Sequence, residues 1–178
     1  MLSQKREAVR EYLGMESHYF WGQRYLLEVV ELESKPKVTL EHKKIVLQVR
    51  PNASRDKKQS ILDAWYRAEL KKVLVPLIRK WEQNMGLSIS GYSIRRMKTK
   101  WGSCSHESKT IRINLELVKK PQECLEYIVV HELAHILEPT HNARFLALLD
   151  HHFPGWKIHR DTLRNLPVHH VDAWAGEL

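Results

Sequence analysis

The segment His131-Glu132-Leu133-Ala134-His135 has residue types and spacing that can do chemistry. Two histidines four apart on a helix project from one face, one turn apart. Both imidazoles can then reach one tetrahedral Zn²⁺ at about 2.0–2.1 Å. The glutamate beside the first histidine projects next to the metal. There it can take a proton from an activated water and later deliver one to a leaving group. With 11 histidines in 178 residues, chance alone would give the pattern about 6% of the time, so its company decides. His141 follows after a five-residue gap that contains Pro139, where the chain can turn back toward the metal. Three protein ligands leave a fourth position for water, the arrangement of a catalytic zinc site and not of a closed structural one.

Other residues are candidates for supporting roles. Glu138 lies three after His135 and seven after His131. On a continuing helix it shares their face, where it can ligate or orient an imidazole. Asn114 falls on the polar face of an expected strand. It is read either as lining a substrate cleft, where a peptide adds to a sheet edge, or as a plain surface residue. Arg144 is a candidate to stabilise negative charge. Arg95, Arg96, Lys98 and Lys100 run up to Trp101-Gly102-Ser103-Cys104. Such a stripe can hold phosphates or single-stranded nucleic acid, or form a solvated strand face. Trp101 and Ser103 belong to that candidate surface. Cys104 can be a fourth ligand or a nucleophile, but lacks a partner adjacent in sequence, which favours an inert thiol. His151-His152, His159 and His169-His170 lack a useful spacing and are read as surface or capping residues.

These residues need elements to position them. A short helix is expected over Leu2–Leu13, then a turn-like stretch at Gly14 and from His18 to Gly22. Gln23–Leu32, Val38–Leu40 and Ile45–Val49 read as strands of a small antiparallel meander. Ser54 is a candidate N-cap for a long amphipathic helix ending near Gly86, kinked or split by Pro76. Tyr92–Trp101 and Thr110–Leu117 read as extended segments, with Gly102–Lys109 as a loop between them. Pro121 suits the first turn of the helix that carries the histidines, and Pro139 stops it. Thr140 is a candidate N-cap for the next helix, which ends at Pro154-Gly155. A short helix around Ile158–Leu163 follows, and the last dozen residues read as loose. Residues 1–85 form the meander and long helix, and residues 86–178 the catalytic core, in one continuous compact domain.

Composition sets the outer limits. The chain is 43% hydrophobic and 28% charged, with a net charge of +8. That is ordinary for a soluble domain, and the basic excess permits contact with nucleic acid or nucleotides without requiring it. No apolar run approaches a membrane span. The basic N-terminus has no apolar stretch after it, so no secretory signal is expected. Two cysteines make no disulfide framework, which points to the cytoplasm.

Several of these segments together resemble a known family. They are Arg95 to Ser105 around Trp101-Gly102-Ser103-Cys104, then Ile113-Asn114-Leu115, Tyr127–His135 and Glu138–Phe145. In order and spacing they resemble the YgjP-like metallopeptidases, over about Gln23 to Pro167. His141-Asn142-Ala143-Arg144-Phe145 is also similar to the third-ligand segment of the WLM/SprT-type zinc proteases, which act on DNA–protein crosslinks. The resemblance implies an α+β fold: a minimal zincin-like metallopeptidase with small antiparallel sheets and a metal-binding helix. It implies Zn²⁺ on His131, His135 and His141, with Glu132 as the catalytic glutamate. The expected function is zinc-dependent hydrolysis of a peptide or protein substrate. Two alternatives stand beside it. One is a metal-dependent nucleoside triphosphate pyrophosphatase, since bacterial members are described as acting on UTP. The other is a basic DNA-associated zinc protein.

Overall fold

The computed structural model describes residues 16–165. The helix expected over Leu2–Leu13, the turn at Gly14, the last dozen residues and His169-His170 lie outside them. The architecture is α+β, with two small sheets and four α-helices.

The first sheet contains β1 (Ser17–Phe20), β2 (Gln23–Glu31), β3 (Lys37–Glu41) and β4 (Lys44–Val49), in the order β1-β2-β4-β3. It is mixed, where an antiparallel meander was expected: β2 and β4 run parallel. The side chains explain the order. Ile45, Leu47 and Val49 on β4 are fully buried, so β4 takes an interior position. β3 begins and ends on exposed charges and takes the edge. His18 to Phe20, read as a turn, belong to β1, and only Trp21-Gly22 turn the chain.

β4 leads to α1 (Arg55–Met85). Ser54 caps it, its hydroxyl accepting from the Lys57 N–H at 3.2 Å. Gly86 ends it in the left-handed conformation, φ 64°. Leu62, Tyr66, Leu70, Leu74, Ile78, Trp81 and Met85 form its buried stripe. Pro76 does not split the helix. It sits on the exposed face, where water can satisfy the carbonyl one turn back that a proline leaves without a donor.

The second sheet contains β5 (Gly91–Arg95), β6 (Gly102–Ser105) and β7 (Thr110–Asn114), in the order β5-β7-β6. It too is mixed, with β5 parallel to β7. The segment read as a loop from Gly102 includes β6, paired antiparallel with β7. The extended reading beyond Asn114 gives way to a short 3-10 helix, Leu115–Lys119.

Three helices complete the chain: α2 (Gln122–Leu137), α3 (Ala143–His152) and α4 (Trp156–Asn165). Pro121 lies just before α2 and not within its first turn. From Cys124 to Ile136 every side chain of α2 is buried except the half-buried Glu126 and His135. α1, α3, α4 and β6 pack around it. Such a helix belongs to the centre of a core. Glu126 ties α1 to it, accepting from Lys80 Nζ at 2.6 Å and Trp81 Nε1 at 2.9 Å.

The β1–β2 turn locks the first sheet to the start of α2. The Trp21 N–H donates to the Val118 carbonyl and the Gly22 N–H to that of Lys119. Gly22 has φ 78°, and a Cβ there would lie 2.9 Å from Pro121 Cγ. Gly22→Ala therefore meets both a backbone penalty and a clash. We expect a loss of about 2–4 kcal/mol in urea unfolding. A loss under about 0.5 kcal/mol would show that this seam does not hold the sheet to the core.

Candidate metal centre

Two polar side chains stand on the buried central helix. His131 is 1% exposed and Glu132 2%. Burying such groups costs free energy unless they have work to do or partners to meet. His135, one turn on, and His141, just beyond the helix, complete a cluster. The Nε2 atoms lie 3.2 Å apart for His131 and His135, 2.9 Å for His135 and His141, and 3.2 Å for His131 and His141. Among the described residues, this is the one group of three histidine, cysteine or acidic side chains able to share an ion.

One tautomer follows from the geometry. His135 Nδ1 lies 3.2 Å from the Glu138 carbonyl oxygen. A carbonyl only accepts, so Nδ1 carries the proton and Nε2 turns a lone pair toward its neighbours. Burial, and then the neighbouring imidazoles, hold His131 well below the usual histidine range. It is neutral at pH 7, the form that ligates. Three converging imidazole nitrogens of this kind fit a single divalent ion.

Several residues fix the three rings. Phe145 lies against all of them, with ring centroids 4.9, 4.5 and 4.9 Å from His131, His135 and His141. Tyr127, one turn before His131, meets that ring edge-on at 5.8 Å and stacks on Trp156. Asn142 caps α3, its Oδ1 accepting from the Phe145 N–H at 3.0 Å, which anchors the segment right after His141. The cap is Asn142 and not Thr140, because the chain leaves Pro139 in a turn and α3 begins two residues later than expected.

Glu138 takes neither course open to its side chain. α2 stops at Leu137 and Glu138 turns to an extended conformation, so the helical face is not continued. Its main-chain carbonyl orients His135. Its carboxylate accepts from Asn142 Nδ2 at 3.0 Å and lies 3.7 Å from Arg144 Nε. Arg144 itself is 86% exposed, and it is absent from the lining of the cleft that contains the histidines.

That cleft has a volume of about 450 Å³. Glu132 reaches it beside the histidines, and β6 forms its opposite wall. Gly102 is the point of closest approach. A Cβ on it would lie 2.7 Å from Glu132 Oε1 and 3.0 Å from both Glu132 Cγ and Ile128 Cγ2. Glycine there gives the carboxylate its room. Lys100 and His106 line the same cleft, and His106 Nδ1 donates to the His135 carbonyl at 3.3 Å.

Asn114 is neither in the cleft nor on the surface. It is fully buried. Its Oδ1 accepts from the Met97 and Glu116 N–H groups, and its Nδ2 donates to the Met97 and Lys100 carbonyls. It pins the loop that delivers Lys100 to Gly102 into the wall. Trp101 is 3% exposed and belongs to the core, so it is no stacking platform. Ser103 and Cys104 line the cleft. The basic stripe is not one surface: Arg96 pairs with Asp63 and Glu116, and Lys100 faces the cleft. His151, His152 and His159 join no metal group; His159 packs on Phe153.

Sequence spacing missed Gly102, His106, Phe145 and the main chain of Glu138 as parts of the site. The glycine in Trp101-Gly102-Ser103-Cys104 was the one available signal, as a mark of close approach. The others depend on how the loop after α2 folds.

A family model of the YgjP-like metallopeptidase domain matches residues 1–166. The chain belongs to this family. The YgjP-like chain is also similar to two solved metallopeptidase zymogens. Abylysin of Pyrococcus abyssi is 25% identical, covering 51% of this chain and 90% of its own, at a TM-score of 0.47. Jannalysin of Methanocaldococcus jannaschii is 30% identical, covering 53% and 91%, at 0.42. No curated protein sequence matches. Family membership makes the chain a metal-dependent hydrolase with a peptide or protein substrate.

Cys104 shows the electrostatics of the cleft wall. Burial, and then the neighbouring Glu132 carboxylate, push its thiol up to about 11. It is neutral at pH 7. The folded chain holds the proton more tightly than the unfolded chain does. The associated stability is therefore complete below the ordinary thiol value near 9 and falls as pH rises through 11. At pH 8, Cys104 should react with iodoacetamide about a hundredfold more slowly than a free thiol. Alkylation at the free-thiol rate would contradict this environment.

Proposed function

We propose that this YgjP-like chain hydrolyses peptide bonds with zinc held by His131, His135 and His141 and with Glu132 as general base and acid. The observation that carries the proposal is the convergence of three Nε2 atoms about 3 Å apart in a cleft that the Glu132 carboxylate also enters. Three imidazoles and no thiolate suit zinc among the common ions. Zinc bound there would supply Lewis acidity, polarising a carbonyl and making water acidic near neutral pH.

The remaining steps belong to the chain. Glu132 takes the proton of the attacking water on its carboxylate and returns it to the leaving amine nitrogen. The Glu138 carbonyl keeps His135 in the tautomer that turns an Nε2 lone pair toward the other two imidazoles. β6 is an edge strand of its sheet and walls the cleft. A peptide can add to it by main-chain hydrogen bonds, which would lay the scissile bond beside Glu132.

The two alternatives lack a comparable site. Pyrophosphatase chemistry with Mg²⁺ needs oxygen ligands, and no carboxylate group of three converges among the described residues. A nucleic-acid groove needs a continuous basic stripe, and here Arg96 is paired and Trp101 is buried. Residues 1–85 and 86–178 are proposed to act as one unit, a reading supported by the apolar core shared among both sheets, α1 and α2. A reducing, cytoplasmic setting is proposed on the two free cysteines. No helix among the described residues is long and apolar enough to cross a membrane.

Glu132→Gln should retain about one zinc per chain by mass spectrometry and lose about a thousandfold or more in kcat on a peptide substrate. His135→Ala should lose the zinc. Zinc retained in His135→Ala, or near wild-type turnover in Glu132→Gln, would overturn the assignment. Gly102→Ala should keep the zinc yet lower kcat at least tenfold, because the new Cβ displaces the carboxylate. An unchanged kcat would show that Glu132 does not act from this position.

A further inference from the structure

The outer face of the β5-β7-β6 sheet carries a second hollow, of about 460 Å³. It is separated from the metal cleft only by β6, and Ser103 and Cys104 line both. The strand registers define its floor. Ser93 on β5 and Ser103 on β6 both stand opposite Arg112 on β7. Gly91 and Ser105 likewise stand opposite Thr110. The row between, Tyr92, Ile111 and Cys104, points its side chains to the other face.

In these two rows five of the six outward positions are therefore glycine, serine or threonine and the sixth is arginine, while Arg95, one row further along β5 opposite Asn114, shares the face but does not line the hollow. Glycine and serine are poor strand residues that surrender cross-strand packing. Their small size opens the hollow around one guanidinium. Arg112 is exposed and makes no ion pair or hydrogen bond with any described residue. No partner is recorded for the Ser93 and Ser103 hydroxyls among those residues either. No carboxylate lines this hollow, and Glu132 is the one carboxylate lining the cleft beside it. Lys100 and His106 add donors on the cleft side.

We propose that this face is a specificity subsite for an acidic side chain of the substrate, held by Arg112 with the hydroxyls of Ser93 and Ser103. The occupant rests on the peptidase reading above. A peptide strand added to β6 would run about 10 Å from β7, two strand spacings away. Its outward side chains would stand beside Ser103, too short to block the way. An arginine on β7 and a glutamate on the peptide can meet across that gap in a charge-assisted pair. Arg112, the one guanidinium lining the hollow, is ringed by hydroxyls and fits a carboxylate. A nucleic-acid strand would demand a line of cations and exposed aromatic rings, and the hollow supplies neither.

The test reads binding separately from turnover. Fluorescein-labelled alanine octapeptides carrying one Glu, moved through each position, are compared with their Gln and Lys twins. Anisotropy is measured on the zinc-loaded Glu132→Gln protein at 50 mM salt, with a ten-residue oligothymidylate as competitor. At one or two positions Glu should bind about fivefold tighter than Gln, as a partly exposed pair allows. Arg112→Ala should bring that ratio to about one. Arg112→Lys should keep part of it, and Arg112→Glu should favour Lys instead. The proposal is overturned if no position prefers Glu, or if the preference survives in Arg112→Ala. It is also overturned if the oligothymidylate displaces every peptide and its own binding depends on Arg112. Cleavage of the same peptides by the wild-type chain is scored apart. Glu-selective binding without cleavage would remove the peptidase reading and leave the subsite standing.

Discussion

Three imidazole nitrogens held about 3 Å apart at the heart of a protein are not a comfortable arrangement. His131 is desolvated, His135 and His141 partly so, and a main-chain partner fixes the tautomer of His135. The arrangement stands because its surroundings over-determine it. Phe145 fills the space against all three rings. The Glu138 carbonyl fixes the tautomer of His135. The Asn142 cap stops the chain from relaxing after His141. Almost every helix contributes to the same end, since α1, α3 and α4 wrap the segment that carries the first two histidines.

A second constraint comes from the other side of the cleft. The Glu132 carboxylate lies under a wall that must come close without filling its space. β6 meets both demands by having no Cβ at Gly102 and small side chains after it. Such a strand has little intrinsic reason to form. Its pairing with β7 supplies one, and the four hydrogen bonds of Asn114 hold the loop that leads into it. The weak strand propensity of the wall is thus the cost of close approach, carried by a buried amide elsewhere.

That division explains what could be read from the residues. The helical spacing of His131 and His135, the Ser54-capped helix ending near Gly86 and the apolar strand Ile45–Val49 were legible, because each is set by local spacing and local chemistry. The parallel pairing of β2 with β4 was not, since strand order depends on which strand is most apolar on both sides. Gly102–Ser105 looked like a loop because its residues prefer loops. Asn114 read as a cleft or surface residue by alternation, although its amide is one of the few polar groups inside. Thr140 and Asn142 are both good caps, and only the turn after Pro139 decides between them.

The mismatches gather around the cleft. Where the residues are locally consistent with their element, they build the core and the outer sheet. Where they are not, as at Gly102, Ser103 and the buried His131 and Glu132, the element borders the metal centre. Natural sequences tolerate such conflicts where chemistry requires them. A divalent ion held by these histidines in the folded state and not by the unfolded chain would offset part of the conflict. At a thousand times its dissociation constant it adds about 4 kcal/mol of stability. That gain would act on the whole core, because the helix carrying His131 and His135 packs at its centre.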